Sequence, residues 1–319
     1  MPQPPNAAAR RDPTAWTIAA VPAREDLAAA EAFCRDVANK HYENFTVATR
    51  LVPRRLRQHL ANVYAFARWS DDLADEAESP EAAAAAIAGW RHELRECFAG
   101  RPKHPVFVAL AATIAETGLS IEPFSDLLDA FEEDRSFDAQ GIACRYSTRA
   151  HVLEYCRRSA DPVGRIVLAL EGCRDPGLVA MSDSICTGLQ LVNFWQDVKR
   201  DRIAGRVYLP REDMLRHGVE ESMLDAPAAS PALRSLIRDE VSWARECFAA
   251  GAPLERLAPR VLRPAIGMFL AGGRAVADAI ERAGHDTLSF RPVVGKGKKM
   301  LLAARAWLSL QAAALRGSP

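Results

Sequence analysis

From Asp26 onward the apolar positions recur at three- and four-residue intervals, and nowhere do they settle into the alternation of a strand. Leu27, Ala30, Phe33, Cys34 and Val37 form the first such stripe, in a helix that Asp26 can cap and that runs to Ala38. His41–Pro53 reads as a bend or broken helix. A helix from about Leu56 to Ala77 follows, and Ser79-Pro80 opens an alanine-rich one reaching Ala99. Pro105–Thr117 and Pro123–Asp134 come next, with Ser136–Ser147 as loop. Thr148 can cap a helix to Ser159, after which Asp161-Pro162 interrupts the pattern before Val163–Leu170. Asp183–Arg202 is helical and ended by Gly205. Beyond a loop-rich stretch with one turn at Arg211–His217, helices are expected over Pro231–Ala250, Pro264–Ala283 and Gly295–Leu315. The pattern predicts an all-α bundle whose natural ligand site is a central cavity between helices.

Two of these helices carry acidic rows. In Tyr64-Ala-Phe-Ala-Arg68-Trp-Ser-Asp71-Asp72-Leu-Ala-Asp75-Glu76, Asp71 and Asp75 share one helical face with Tyr64 and Arg68. Asn193, Asp197 and Asp201 form the second row. Like charges at this spacing cost a helix roughly 0.2–0.5 kcal/mol per pair, and Arg68 offsets only part of that. A divalent cation would neutralise the rest. Carboxylate oxygens suit Mg²⁺, which shares its remaining positions with water and phosphate. A single such row is more often a solvated helix face; two rows make a plausible clamp for Mg²⁺ and a diphosphate.

Composition narrows the class. Lys+Arg and Asp+Glu both number 41 in 319 residues, so no global field attracts nucleic acid. The seven cysteines are scattered without a metal-binding spacing and read as reduced thiols of a cytoplasmic protein. Met1–Arg24, rich in Pro, Ala and Arg, is expected to be a disordered tail on a single domain spanning 25–319. Neither a signal peptide nor a membrane-spanning run is expected. Arg291, Lys296, Lys298, Lys299 and Arg305 beside Met300, Leu301 and Leu302 suggest loose attachment to an anionic bilayer, against the alternative of a helix docked on the core.

The acid rows, Arg145-Tyr146-Ser147, Tyr155-Cys156 with Val163-Gly164, and Gly205-Arg-Val-Tyr-Leu-Pro210 together resemble the squalene/phytoene synthase family of head-to-head prenyl synthases, from about Ala32 to Trp307. His41-Tyr-Glu-Asn-Phe45 and Tyr155-Cys-Arg-Arg-Ser-Ala-Asp-Pro-Val-Gly164 look closest to the bacterial hydroxysqualene synthase branch of hopanoid biosynthesis. The resemblance implies an isoprenoid-synthase-type fold and more than one Mg²⁺ ion, held by Asp71, Asp72, Asp75, Asp197 and Asp201. It also implies a prenyl diphosphate substrate, presqualene diphosphate or farnesyl diphosphate. Arg68, Phe45, Asn193, Lys199, Arg200, Arg202 and Tyr208 are then candidate substrate contacts, and Tyr64 and Tyr155 match tyrosines near the diphosphate and the reacting carbons.

The reaction so implied is loss of diphosphate, leaving a carbocation that must be kept from water until it rearranges. Phe45, Phe66, Phe131, Trp195 and Phe269 are candidate walls, each equally readable as core. His41, Glu43, Asn44 and Asp161 could instead hold one water near the rearranged cation as general base, or simply cap helix ends. Gly272-Gly273 lies in a helical pattern and not after a strand, so no NADPH site is expected. A synthase condensing two prenyl diphosphates to presqualene diphosphate or phytoene is the enzymatic alternative. A non-catalytic assembly-factor relative is the other, and the intact acid rows argue against it.

Overall fold

The computed structural model describes residues 26–41, 52–75, 79–295 and 297, which form helices joined by turns with no strand among them. In chain order these are α1 (Leu27–His41), α2 (Arg54–Asp75), α3 (Pro80–Phe98), α4 (Pro105–Thr117), α5 (Glu122–Ala139) and α6 (Arg149–Ser159). They continue as α7 (Asp161–Ala169), α8 (Pro176–Ile203), α9 (Arg211–His217), α10 (Pro231–Gly251), α11 (Leu254–Leu257) and α12 (Arg263–Arg282), with a 3₁₀ turn at Glu221–Asp225.

Local chemistry sets the boundaries. Ser79, Thr148, Asp175 and Ser230 lie in extended backbone, and their side-chain oxygens accept N–H groups of the following first turns. Such caps are worth about 1 kcal/mol each. Proline follows three of them, at Pro80, Pro176 and Pro231, where its missing N–H has no helical partner to lose. Gly118 closes α4 in the left-handed region, φ 64°.

Some boundaries differ from expectation. The first helix runs to His41, past Ala38. α5 continues past Asp134 to Ala139, where Arg135 pairs with Asp138 one turn on at 2.8 Å. α8 begins at Pro176, because Asp175-Pro176 is itself a cap signal upstream of the acidic row. Asp161-Pro162 opens α7 and does not interrupt it, since proline is accommodated in a first turn. The 3₁₀ turn and α11 fall where no element was expected. The Met1–Arg24 tail, most of the His41–Pro53 bend and nearly all of Gly295–Leu315 lie outside the described residues.

Helix α2 packs on α1, α3, α4 and α5, whereas α8 packs on α6, α7, α10 and α12. α5 joins the two groups, touching α2 and α3 as well as α6 and α7. In the first group the fully buried Phe66 ring meets Phe124, Phe107 and Trp90 at centroid distances of 5.2, 6.0 and 6.3 Å. Burial of each such ring is worth about 1.5–3 kcal/mol. The indole N–H of Trp90 donates to Ser70 at 2.9 Å, so the polar edge is satisfied inside the core.

The links before α6 and after α8 run side by side. Val207 N–H donates to the Ala143 carbonyl at 2.8 Å and Arg145 N–H to the Val207 carbonyl at 3.3 Å, forming one isolated parallel bridge. Arg145, Tyr146, Arg206 and Tyr208 are thereby gathered at the C-terminal end of α8. No described helix is long and apolar enough to cross a membrane.

Candidate active site

On α2 the i, i+3 and i, i+4 spacing places Arg68 against both acids of the first row. Its Nη1 is 3.0 Å from Asp71 Oδ2 and its Nη2 is 2.5 Å from Asp72 Oδ1. Arg68 Nε is buried with no hydrogen-bond partner among the described residues. Tyr64, one turn earlier, is half-buried against the core. Asp75 ends α2, but its side chain and that of His41 lie outside the described residues, as do Glu43, Asn44, Phe45 and Glu76.

The second row lies in the last turns of α8. Asn193 is exposed and Lys199 half-buried. Asp197 is held by Arg291, with Nε 2.5 Å from Oδ1 and Nη2 2.8 Å from Oδ2, and Arg200 stands 3.5 Å from the same Oδ1. Asp201 borders a gap of about 10 Å³, room for roughly one water, lined by Phe194, Val198, Arg206 and Tyr208 among others. Burial, then the charge of Asp197, pushes the Asp201 carboxyl up to about 7, while Arg206, Arg200 and Arg145 pull it down. Arg202 is engaged elsewhere: its Nε and Nη2 both lie 2.8 Å from Asp225 of the 3₁₀ turn.

Behind this row stands a network in which Tyr155, Tyr208 and the Arg145-Tyr146 pair were expected from the sequence and Asp134 and Asp138 were not. Arg145, its side chain fully buried, pairs with Asp134 and Asp138 of α5. Asp138 also takes Arg206 at 2.8 Å. Tyr155 of α6 donates its phenol to Asp134 Oδ2 at 2.8 Å. Phe194 and Tyr208 stack with centroids 4.0 Å apart, and Tyr155 and Tyr146 pack beside them. Burial, with the Asp134 charge next, drives the Tyr155 phenol well above its ordinary value, so it keeps its proton. Burial also raises Asp134, against the pull of Arg145 and the phenol.

Asp161 is buried at the start of α7, where its Oδ1 accepts from Thr187 Oγ1 of α8 at 2.9 Å. It provides no side-chain cap to α7. Burial, then Asp183, raises its carboxyl to about 7. Thr187 is ten residues before Asp197 on α8, about 15 Å along the helix axis. Of the candidate aromatic walls, Phe66 and Trp195 are fully buried core residues, Phe131 is packed against that core, and Phe269 is 43% exposed. Arg291 belongs to the Asp197 site more than to a basic surface patch, and Lys296, Lys298, Lys299 and Arg305 are outside the described residues.

These features suit a hard cation and a polyphosphate. Every candidate ligand is a carboxylate oxygen, the donor type that Mg²⁺ prefers. The Nε donors of Arg68 and Arg206 are buried beside those carboxylates without hydrogen-bond partners among the described residues, which suits an incoming anion. The described side chains do not by themselves gather three acids at one point. Asp71, Asp72, Asp197 and Asp201 would hold the ions together with Asp75.

Comparison with known proteins points the same way. Residues 38–298 match the squalene/phytoene synthase family model. A phytoene synthase of Rhodobacter capsulatus is 30% identical over 287 residues, covering 88% of this chain and 82% of its own. The solved structure of squalene synthase HpnC from Alicyclobacillus acidocaldarius is 40% identical with a TM-score of 0.76, over 82% of this chain and 97% of that one. A ligand complex of a dehydrosqualene synthase is 25% identical with a TM-score of 0.79, over 94% and 100%. The chain therefore belongs to the squalene/phytoene synthase family, and its helical bundle is of the isoprenoid-synthase type.

Proposed function

We propose that this chain is a hydroxysqualene synthase: it ionises presqualene diphosphate, lets the cation rearrange, and gives it to water, releasing hydroxysqualene and diphosphate. The observation that carries the reading is Asp161, a buried carboxyl on Thr187 at a position where, by the family resemblance, condensing synthases usually have small apolar residues. Similarity at 40% identity to squalene synthase HpnC, against 30% to the R. capsulatus phytoene synthase, favours the squalene side of the family over the phytoene side.

Bound Mg²⁺ would neutralise the charge developing on the leaving oxygens. Arg68 and Arg206 reach diphosphate oxygens through their Nε donors, and Arg291 adds its charge from beside Asp197. Tyr64 orients the reacting end, and the Tyr155, Phe194 and Tyr208 rings keep bulk water from the cation. Asp161 accepts the proton of the one water admitted, with His41 and Asn44 as further candidates for placing it. No hydride donor enters this scheme, so no NADPH is required. The lipid substrate makes loose contact with a bilayer reasonable for an otherwise cytoplasmic enzyme.

The phytoene synthases among its relatives favour a second reading, condensation of two prenyl diphosphates. The two separate in one experiment: presqualene diphosphate and Mg²⁺ in ¹⁸O-labelled water, without NADPH. The proposed activity puts the label on the product alcohol. An unlabelled alcohol, or product formed only from farnesyl or geranylgeranyl diphosphate, returns the chain to the condensing class. Absence of Mg²⁺-dependent diphosphate binding would place it with the non-catalytic relatives.

A further inference from the structure

We propose that Asp134 is the positioning residue of Tyr155, fixing its phenol as a hydrogen-bond acceptor toward the reacting carbons; this rests on the prenyl diphosphate chemistry proposed above. A phenol carries one hydrogen. Here it is given to Asp134 Oδ2 at 2.8 Å, which leaves the oxygen only its lone pairs to present elsewhere.

Neither partner is free to turn. The other Asp134 oxygen is taken by Arg145, a charge-assisted pair that favours the ionised, acceptor-only carboxylate against the burial that raises it. Arg145 is itself held by Asp138 and lies 5.5 Å from the ring centroids of both Phe137 and Tyr208. Its backbone is tied to Val207. The Tyr155 ring is fixed among Tyr146, Phe194 and Tyr208, at centroid distances of 5.4, 6.2 and 6.3 Å. Phe194 and Tyr208 in turn line the gap at Asp201, so the Tyr155 ring packs directly behind the lining of that gap.

The consequence is a division of labour. Tyr155 does not hand a proton to the departing diphosphate; it offers electron density to the positive charge left behind, or to a water approaching it. Asp134 sets that polarity from α5, without touching substrate.

The test is a double-mutant cycle of Asp134→Asn and Tyr155→Phe, with Asp134→Glu as the conservative variant, read by steady-state turnover and melting temperature. Asp134→Asn is expected to lower kcat about 10- to 100-fold, the scale of one charge-assisted hydrogen bond, with KM changed less than about threefold. The double variant should be no worse than the poorer single variant within about twofold, since both remove one interaction. Asp134→Glu should recover part of kcat. If Asp134→Asn does not fold, the single variants carry the test: Tyr155→Phe should lose kcat over the same range and Asp134→Glu less, and Tyr155→Phe at wild-type kcat overturns the inference. Losses that multiply, or Asp134→Asn at wild-type kcat, overturn the inference while the wild-type protein still turns over substrate. A wild-type protein that turns over no prenyl diphosphate overturns the proposed function, and this inference with it.

Discussion

The guanidinium of Arg291 lies on the carboxylate of Asp197, Nε 2.5 Å from Oδ1 and Nη2 2.8 Å from Oδ2, although the two residues are 94 positions apart. The same Nη2 is 2.9 Å from Gln196 Oε1, while Gln196 donates back to the Pro292 carbonyl. The segment after α12 is thus docked on α8 beside the second acidic row, and brings a cation to the place where a diphosphate would arrive. Arg291→Gln is expected to raise KM for the prenyl diphosphate about 10- to 100-fold, since a charge-assisted contact is worth about 1.5–3 kcal/mol. Initial-rate kinetics at saturating Mg²⁺ check this. A KM within twofold of wild type would mean that Arg291 only anchors its own segment.

Asp71, Asp75, Asp197 and Asp201 should each be needed for turnover and dispensable for folding. Replacing Asp71, Asp75 or Asp201 by Asn removes like-charge repulsion of only about 0.2–0.5 kcal/mol, so melting temperatures should hardly move while kcat falls by two or more orders of magnitude. Asp197→Asn should lose kcat equally but also weaken the Arg291 pair and melt somewhat lower. Asp72 shares Arg68 with Asp71 and faces about one position round the helix, so Asp72→Asn should cost less. Full activity in any two of the four variants would remove the metal clamp.

What could be read from the chain depended on how local the cause was. The capped helices at Ser79 and Thr148 and the two acidic rows follow from spacing within a few residues, and both rows are found on helices as expected. Arg291, Asp134 and Asp138 were not legible as site residues, because the contacts that tie them to Asp197, Tyr155 and Arg206 span 94, 21 and 68 positions. Asp134 meets Tyr155 only when α5 packs on α6, and Arg206 meets Asp138 only through the bridge between two loops. The one available signal was that Arg145-Tyr146 and Arg206-Val-Tyr208 both pair an arginine with a tyrosine in segments otherwise read as loop. Arg202 shows the converse: its spacing placed it near the row, but Asp225 competes for it at close range.

The close approach of α8, α10 and α12 predicts a steric effect. A Cβ on Gly188 would lie 2.8 Å from Phe248 Cε1 and 3.3 Å from the Ala244 carbonyl oxygen. Phe248 is fully buried, so it has no room to yield. Gly188→Ala should therefore destabilise by about 1–3 kcal/mol, the usual range for overpacking, despite alanine's better helix propensity. Thermal unfolding of Gly188→Ala, alone and with Phe248→Leu, checks the cause: the second substitution should return part of the loss if the clash is responsible.

Glu240 predicts how stability depends on pH. It is fully buried on α10, with Arg149 Nη2 3.6 Å from its Oε1 and both of its oxygens lacking a hydrogen-bond partner among the described residues. Arg149 is shared, its Nε lying 2.8 Å from Asp213 Oδ2, and Arg216 also pairs with Asp213. Burial, opposed by Arg149 and reinforced by the Asp213 charge, lifts the Glu240 carboxyl from an ordinary 4.5 to about 8. The folded protein therefore holds this proton over a range where the unfolded chain has released it. Stability from this group is fully present below about pH 4.5 and is lost progressively as pH rises to about 8. Glu240→Gln keeps the shape and removes the titration, so it should match wild type near pH 4.5 and exceed it by on the order of a few kcal/mol at pH 9. Denaturant unfolding of both proteins at the two pH values tests this. A stability difference that does not change with pH would show that Arg149 keeps Glu240 ionised throughout.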